Sequence, residues 1–325
     1  MVAIGRNEGE RLRTCLRSSL GQCSSVVYVD SGSTDGSVAL ARGMGVHVVE
    51  LDSSLPFTAA RARNAGFDRA CFTSPDLKAV QFVDADCELA AGWLARGECA
   101  IQQAGAAVVF GRRRERFPEK SVYIRLSDFE LDVPVGEARN CGGDALVRAD
   151  AFRQAGGFNP ALIAGEEPEL CVRLRANGWK ILRIEGEMTL HDIGITRFHQ
   201  WWKRSVRTGH AYAEGAWLHG MTRERHWLRE TLSVWFWGAA LPLGAAAALL
   251  VAPRFALLVP AAYLLLILRI YLQIRTRARD AWAYSLLYTL GKFPQMLGQC
   301  RFHFGRWSRR PSCLIEYKAT LNKPA

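Results

Sequence analysis

Two aspartates one residue apart, Asp84 and Asp86, close an apolar run in Val83-Asp84-Ala85-Asp86. In extended backbone, residues i and i+2 point to the same side, so both carboxylates can face one ligand. Hard oxygens placed in this way suit Mg²⁺ or Mn²⁺ bridging a diphosphate. Asp30 ends an earlier apolar run and is followed by Ser31-Gly32-Ser33-Thr34-Asp35. It can accept hydrogen bonds from a nucleobase or ribose, or serve the local turn, and Asp35 suits a helix cap. Arg61 and Arg63 precede Asn64 and Gly66 on one helical segment. There a guanidinium meets either phosphate oxygens or solvent. Glu166 and Glu167 open the segment Gly165-Glu166-Glu167-Pro168-Glu169-Leu170. Such a pair offers a general base for a hydroxyl group, although acids in a first helical turn are also simply stabilising. His191, after Met188–Leu190, offers either a core histidine or an imidazole that completes a metal shell and favours Mn²⁺.

The elements around these residues alternate. Val2–Ile4, Val26–Val29, Val46–Val49, Ala79–Val83 and Ala106–Phe110 read as strands. Glu10–Leu20, Ser37–Arg42, Ala59–Cys71 and Trp93–Gln103 read as helices between them. This rhythm predicts an α/β fold with a mostly parallel, doubly wound sheet that binds ligands at the carboxyl ends of its strands. The candidate residues sit at those ends.

Of the 325 residues, 49% are apolar and 22% charged, which excludes a disordered tail or a disulfide miniprotein. The net charge of +11 is unevenly spread. Residues 1–196 hold 23 Lys and Arg against 26 Asp and Glu, and residues 197–325 hold 19 against 5. The basic third contains the longest uncharged stretch, the 23 residues Thr231–Pro253. Two apolar runs, Thr231–Ala252 and Phe255–Ile274, are each about as long as a bilayer-spanning helix of roughly 20 residues. Arg223, Arg225 and Arg229 precede the pair and Arg275, Arg277 and Arg279 follow it. As a transmembrane hairpin, the pair would keep both outer ends at the cytoplasmic face of the inner membrane. The same runs are compatible with a buried soluble hairpin, and Pro242 and Pro260 with a re-entrant one. Trp282–Leu297, with Lys292 and Pro294, reads as interfacial. Basic residues among bilayer-length apolar runs point to a membrane, not to a nucleic acid. The expected division is 1–210 for a catalytic domain and 211–325 for a helical, membrane-associated region with hairpin 231–274 and interfacial segment 282–297. Nine irregularly spaced cysteines fit free thiols better than a disulfide frame. The N-terminus turns polar after four residues, so no signal peptide is expected.

Taken in order, the motifs resemble glycosyltransferase family 2, inverting nucleotide-sugar enzymes with a GT-A fold, in its membrane-associated bacterial form. The resemblance runs from Val2 to about Gly209. It rests on Arg6-Asn7-Glu8-Gly9, Val29-Asp30-Ser31-Gly32-Ser33-Thr34-Asp35-Gly36, Arg63-Asn64-Ala65-Gly66 and Asp84-Ala85-Asp86. Further along it rests on Gly142-Gly143, Gly156-Gly157-Phe158 and Gly165 to Leu170. The resemblance implies a Rossmann-like sheet flanked by helices. It implies donor contacts from Asn7, Glu8, Asp30, Arg63 and Asp84, a divalent Mn²⁺ or Mg²⁺ held by Asp86 with His191, and Glu167 as the base with Glu166 beside it. The family's base is the second acid of a Glu-Asp pair, so Glu167 is one methylene longer. Many members carry a second acid after the first in the Asp30 motif, where this chain has Ser31.

The implied donor is a nucleotide sugar, UDP-sugars first and GDP-mannose next. A membrane setting suits a lipid-linked or saccharide acceptor. Trp201, Trp202, Arg204 and Arg207 either meet that acceptor or anchor the chain at the interface. The Gln-x-x-Arg-Trp motif of processive synthases is absent from Gln200-Trp201-Trp202-Lys203-Arg204, which favours transfer of one sugar in exopolysaccharide or glycolipid assembly. A polyprenyl-phosphate sugar synthase and a noncatalytic nucleotide-sugar binder remain alternatives. A nicotinamide-dependent dehydrogenase lacks support, because Asn7-Glu8-Gly9-Glu10 is no Gly-x-Gly-x-x-Gly turn.

Overall fold

The computed structural model describes residues 1–251, 254, 258–309 and 315. The chain divides into two compact units, Met1–Phe117 with Glu130–Ile193, and Pro118–Phe129 with Gly194–Ala325. The boundary expected at residue 210 falls inside a helix, Phe198–His219, that belongs wholly to the second unit. The first unit also releases Pro118–Phe129 to the second. Ion pairs and ring contacts hold that segment there: Arg125 pairs with Asp280, Phe129 meets Tyr284 edge-on, and Tyr123 stacks on Trp201. The composition change near residue 196 lies close to the division between the units after Ile193.

The first unit is built on one nine-stranded sheet. Its strands are β1 (Val2–Gly5), β2 (Val27–Asp30), β3 (His47–Glu50), β4 (Ala79–Asp84), β5 (Cys87–Leu89), β6 (Val108–Glu115), β7 (Gly136–Glu137), β8 (Ala145–Arg148) and β9 (Ile181–His191). The order is β3-β2-β1-β4-β8-β6-β9-β5, with β7 paired to β9. β3, β2, β1 and β4 are mutually parallel, as alternating strands and helices require. Beyond β4 the sheet is mixed: β8 runs antiparallel to both β4 and β6, and β6 runs parallel to β9.

Helices α1 (Glu10–Ser19), α2 (Ser37–Gly43), α3 (Ala59–Thr73), α4 (Trp93–Ala104), α6 (Ala149–Gln154) and α7 (Glu166–Ala176) accompany these strands, and α5 (Val122–Glu130) follows β6. The inner strands β1 and β2 are buried and contribute Val2, Ala3, Val27, Tyr28 and Val29 to the core. Thr58 caps α3 by accepting a hydrogen bond from the Arg61 amide. One turn further on, Gly66 lets α3 settle on β1, since a Cβ there would lie 2.3 Å from a Val2 methyl. That close approach fixes where Arg63, three residues earlier, meets the strand ends.

The second unit is helical. α8 (Phe198–His219) precedes α9 (Leu228–Trp235), which continues through a π-helical turn, Phe236–Ala240, into α10 (Leu241–Val251). Then come α11 (Leu258–Ile274), α12 (Ala281–Leu290) and α13 (Lys292–Trp307). α8 and α13 cross in backbone contact at glycines. A Cβ on Gly209 would lie 1.9 Å from the Gln295 carbonyl oxygen, and one on Gly298 2.0 Å from that of Val206. Among the described residues one helix, Leu228–Leu250, is long and apolar enough to cross a membrane, at 23 residues. The expected second span is not supported by the described residues. Leu258–Ile274 has 17 residues, below the roughly 20 that a bilayer asks for. This helix starts three residues earlier than its apolar run, because Arg229 and Glu230 are taken into its opening turn. The expected junction at Ala252, Pro253 and Phe255 lies outside the described residues. The interfacial stretch 282–297 is divided at Gly291 between α12 and α13.

Candidate active site

At the carboxyl ends of the parallel strands, the loop after β1 and the loop after β2 are laced together. Asn7 adopts a left-handed conformation with φ 57°. Its side-chain oxygen accepts from the Thr34 amide at 2.7 Å, and its own amide donates to Ser33 Oγ at 2.9 Å. Glu8 pairs with Arg11 at 2.7 Å. Asp30 is 2% exposed, and its carboxylate accepts from Tyr28 Oη and from the Gly32 and Ser33 amides. Asp30 therefore shapes the turn that follows it, and burial beside this carboxylate pushes the Tyr28 phenol far up. Gly32 has φ +82°, and a Cβ there would meet the Phe57 ring at 3.0 Å.

Arg63 is the hub of the first cluster. It is 2% exposed; Nη2 donates to Asp84 Oδ1 at 2.9 Å, and Nη1 donates to Glu166 Oε1 at 3.0 Å and lies 2.9 Å from Glu167 Oε1. Its partners are three carboxylates, where the sequence suggested phosphate or solvent. Arg61 turns elsewhere, donating to the carbonyls of Asp52, Leu55 and Pro56. Gly143 covers the hub: a Cβ there would lie 2.8 Å from Arg63 Nη2, 3.1 Å from Asp84 Oδ2 and 3.2 Å from Glu167 Oε1. Asn64 brackets the following loop by exchanging two hydrogen bonds with the Phe158 backbone.

Glu166 and Glu167 form the first turn of α7, where acids favour the helix dipole. Yet burial, reinforced by the Glu166 charge, raises the Glu167 carboxyl to about 7 despite Arg63. Asp84 moves the other way: burial opposes ionisation, but Arg63 and Arg113 outweigh it and hold the carboxyl below its ordinary range. Glu169 has the structural part, pairing with Arg173 one turn on at 2.6 Å.

The second cluster surrounds His191. The extended geometry ends at Asp84, since Ala85 and Asp86 form a turn before β5. Asp84 and Asp86 therefore do not project as an i, i+2 pair from one strand. Asp84 faces two guanidiniums, and Asp86 lies 3.4 Å from His191 Nε2. Strand register supplies the rest. His191 is cross-strand neighbour to Cys87 on β5 and to Glu115 on β6. Ligand atoms of Asp86, Cys87 and His191 fall within 4.8 Å of one another, and all three residues are buried. His191 Nδ1 is 2.7 Å from Glu115 Oε1. Since a carboxylate accepts, Nδ1 carries the hydrogen, which leaves Nε2 turned toward Asp86. A carboxylate behind a histidine in this way orients an imidazole for a metal. The donor set therefore fits a divalent cation at Asp86 and His191. Without one, burial and Arg113 press the imidazole pKa down, but Asp86 and Glu115 outweigh them and raise it.

Sequence reasoning missed Glu115, Arg113, Asp144 and Cys87. β6 continues past Phe110, where its apolar run stops, through Arg112-Arg113-Arg114-Glu115. Register shifts on both sides of Arg112 mark a bulge, a feature that re-aims side chains. Arg113 reaches Asp84 at 3.3 Å and Asp144 at 3.5 Å. Asp144 also accepts from the Asp84 amide and from Thr189 Oγ1. The residue alternation Arg113, Glu115 was the available signal, because it continues the period of two beyond the apolar stretch.

The remaining residues belong to the helical unit. Trp201 is buried at 8% exposure, packed on Tyr123 and Phe198, whereas an interfacial anchor would be open. Trp202, on the next position of α8, stacks near Phe198 and is half-buried, as are Arg204 and Arg207. The eight described cysteines are free thiols.

Residues 4–155 match the family model described as glycosyl transferase family 2. That match includes Asp30, Arg63, Asp84 and Asp86 and ends before Glu166, Glu167 and His191. Among curated proteins, the chain is 25% identical over 188 residues to glycosyltransferase AglE of Haloferax volcanii. This covers 54% of the chain and 60% of that relative's length. Among solved structures it is similar to the mannosyltransferase PcManGT from Pyrobaculum calidifontis, in complex with GDP-mannose and Mn²⁺. The TM-score is 0.63 at 16% identity, covering 94% of this chain and 87% of that one. TarS of S. aureus superimposes with a TM-score of 0.51 at 13% identity, over 91% of this chain and 54% of its own. These likenesses carry the fold. The strand order and these likenesses give the chain a GT-A-like α/β fold, within which residues 4–155 are similar to glycosyl transferase family 2.

Proposed function

We propose that the chain is a membrane-associated inverting glycosyltransferase that moves one sugar from a nucleotide-sugar donor to a lipid-linked or glycan acceptor. The observation that carries this reading is the Glu167 carboxyl, raised to about 7 and held 2.9 Å from Arg63 within the same cluster as Asp84. A base with a pKa near the working pH is both available and strong enough to take a hydroxyl proton.

In the proposed reaction the acceptor hydroxyl attacks the anomeric carbon opposite the leaving group. A new C–O bond forms, the bond to the diphosphate breaks, and the hydroxyl proton passes to a Glu167 carboxylate oxygen. Arg63 is a positioning residue here: it holds Glu167 and Asp84 in one plane of contacts, so the base is oriented before substrate arrives. Asp86 and His191 would hold Mn²⁺ or Mg²⁺, which supplies charge neutralisation to the departing nucleoside diphosphate. Glu115 fixes the His191 tautomer. Asn7, Glu8 and Asp30 contribute through the two laced loops that border the donor site. UDP-sugars are the first donors to screen and GDP-mannose, the ligand of PcManGT, the next. A polyprenyl phosphate is one acceptor within this class, and assembly of an exopolysaccharide or glycolipid is the corresponding setting.

The test is a donor screen with the full chain in detergent, reading released nucleoside diphosphate with Mn²⁺ and with chelator. Release that depends on a lipid or saccharide acceptor, and disappears in Glu167→Gln, supports the reading. Donor binding without turnover on any acceptor would instead identify a nucleotide-sugar binder.

A further inference from the structure

The helical unit contains a cavity of about 520 Å³ that the chemistry above does not use. Three cations line it: Arg229 in the first turn of α9, Arg269 near the end of α11, and Lys292 at the start of α13. Glu230 is the one carboxylate among the lining side chains. Lys292 is 4% exposed, and its ammonium rests 4.5 Å from the Tyr288 ring centroid. Among the described residues no carboxylate makes an ion pair with any of the three cations; Glu230 acts on Lys292 only at longer range. Burial accordingly draws the Lys292 ammonium down to about 8. Of the three, Lys292 is the buried charge; a buried cation with no carboxylate in ion-pair contact is costly, and an anion relieves that cost, while Arg229 and Arg269 are exposed.

The cavity's place along the helices narrows the ligand. The Tyr263 hydroxyl donates to the Trp237 carbonyl, so α11 runs back along α9 and its π turn. Arg229 stands at the polar start of the apolar helix Leu228–Leu250, and Arg269 stands beside the polar finish of α11. The cations thus gather where the apolar helices end. Leu249, Leu250, Leu264, Leu265 and Leu268 are exposed beyond them. In a bilayer this is the level of lipid phosphates, and basic pockets between helices there suit anionic headgroups. Two guanidinium forks and an ammonium match phosphate oxygens, and Gln273 adds a neutral donor.

We propose that this cavity binds the phosphate headgroup of an anionic lipid through Arg229, Arg269 and Lys292, with the lipid chains along the exposed leucines of α10 and α11. The choice of a lipid over a soluble phosphate rests on the membrane setting proposed above.

The test uses the full chain. Retention in phosphatidylcholine vesicles after a high-salt wash reads the membrane setting by itself, and its absence removes the lipid as source. Thermal stability in detergent is then measured with dioleoylphosphatidic acid, dioleoylphosphatidylcholine or inorganic phosphate. The expected result is a rise in Tm with phosphatidic acid only. Arg229→Gln with Arg269→Gln should weaken that response at least tenfold; both residues are exposed, so the fold does not depend on them. Lys292→Met should raise the lipid-free Tm while losing the response, which separates a buried uncompensated charge from a structural one. An equal response to phosphatidic acid and phosphatidylcholine, or wild-type affinity in the double variant, overturns the site while the membrane setting stands. An equal response to inorganic phosphate overturns the lipid assignment.

Discussion

Two groups of largely enclosed carboxylates sit at the carboxyl ends of the strands and are balanced in different ways. Asp84, Glu166 and Glu167 share one guanidinium, Arg63, which is covalently part of the protein and always charged. Asp86 and Glu115 share an imidazole, whose charge depends on its proton. The first group carries its own fixed cation, and burial, with the Glu166 charge beside it, still raises one member, Glu167. The second is built to receive a cation: Glu115 orients His191, and Asp86 faces the remaining nitrogen. On the proposed reading, the difference separates a place for proton transfer from a place for a metal within one site.

Substitutions should break this contrast in a definite order. Asp86→Ala should cost about 5 kcal/mol of transition-state stabilisation, on the order of 10³- to 10⁴-fold in turnover. Excess Mn²⁺ should not restore it, whereas wild type stripped with a chelator should recover fully. Glu167→Gln should lower kcat by about 10³-fold, while donor affinity by calorimetry stays within a few-fold. If donor affinity falls in parallel with kcat, Glu167 binds donor and is not the base. Arg63→Met should leave buried Glu166 and part-buried Glu167 without their guanidinium, while Asp84 keeps Arg113, and cost about 3 kcal/mol of stability, read by urea denaturation. A loss below about 1 kcal/mol in that experiment would mean that solvent or a cation already balances the group.

A pH series sharpens the contrast further. Because Glu167 acts as a carboxylate, kcat should fall as pH drops through about 7. The stability effect has the opposite direction. The folded-state pKa lies above the unfolded value, so the folded chain holds the proton more tightly, and stability decreases as pH rises from the ordinary carboxyl range to about 7. Glu167→Gln should flatten both profiles in that window. The smallest effect is expected at Gly143→Ala, whose methyl group would crowd Arg63, Asp84 and Glu167 at 2.8 to 3.2 Å. About tenfold in kcat, with little change in Tm, is the expected result.

Much of the parallel half of the fold was legible in the chain. Valine-rich runs ending in Asp30 and Asp84 announce buried parallel strands, whereas the close approach of helix and strand at Gly66 and Val2 emerges only in the structure. Single residues at strand ends were legible as well, because ionisable groups after apolar runs stand out against their neighbours. Their relations were harder to read. Arg63 was legible as a helical cation but not as the link between Asp84 and Glu166, which is 103 residues away in the chain. The helical unit was legible as basic and apolar, but not as absorbing the segment Pro118–Phe129.

The amino-acid sequence by itself determined the βα alternation, the acidic and basic halves, the places where carboxylates end strands and the candidates for base and metal ligand. These follow from local periodicity and composition, which are properties of neighbouring residues. Only the tertiary structure decided that Asp84 and Asp86 serve different partners, that Glu115 stands behind His191, and that Glu167 is raised while Asp84 is lowered. Those outcomes depend on strand register, a bulge in β6 and burial around Arg63, and each brings together groups that local sequence cannot place in contact.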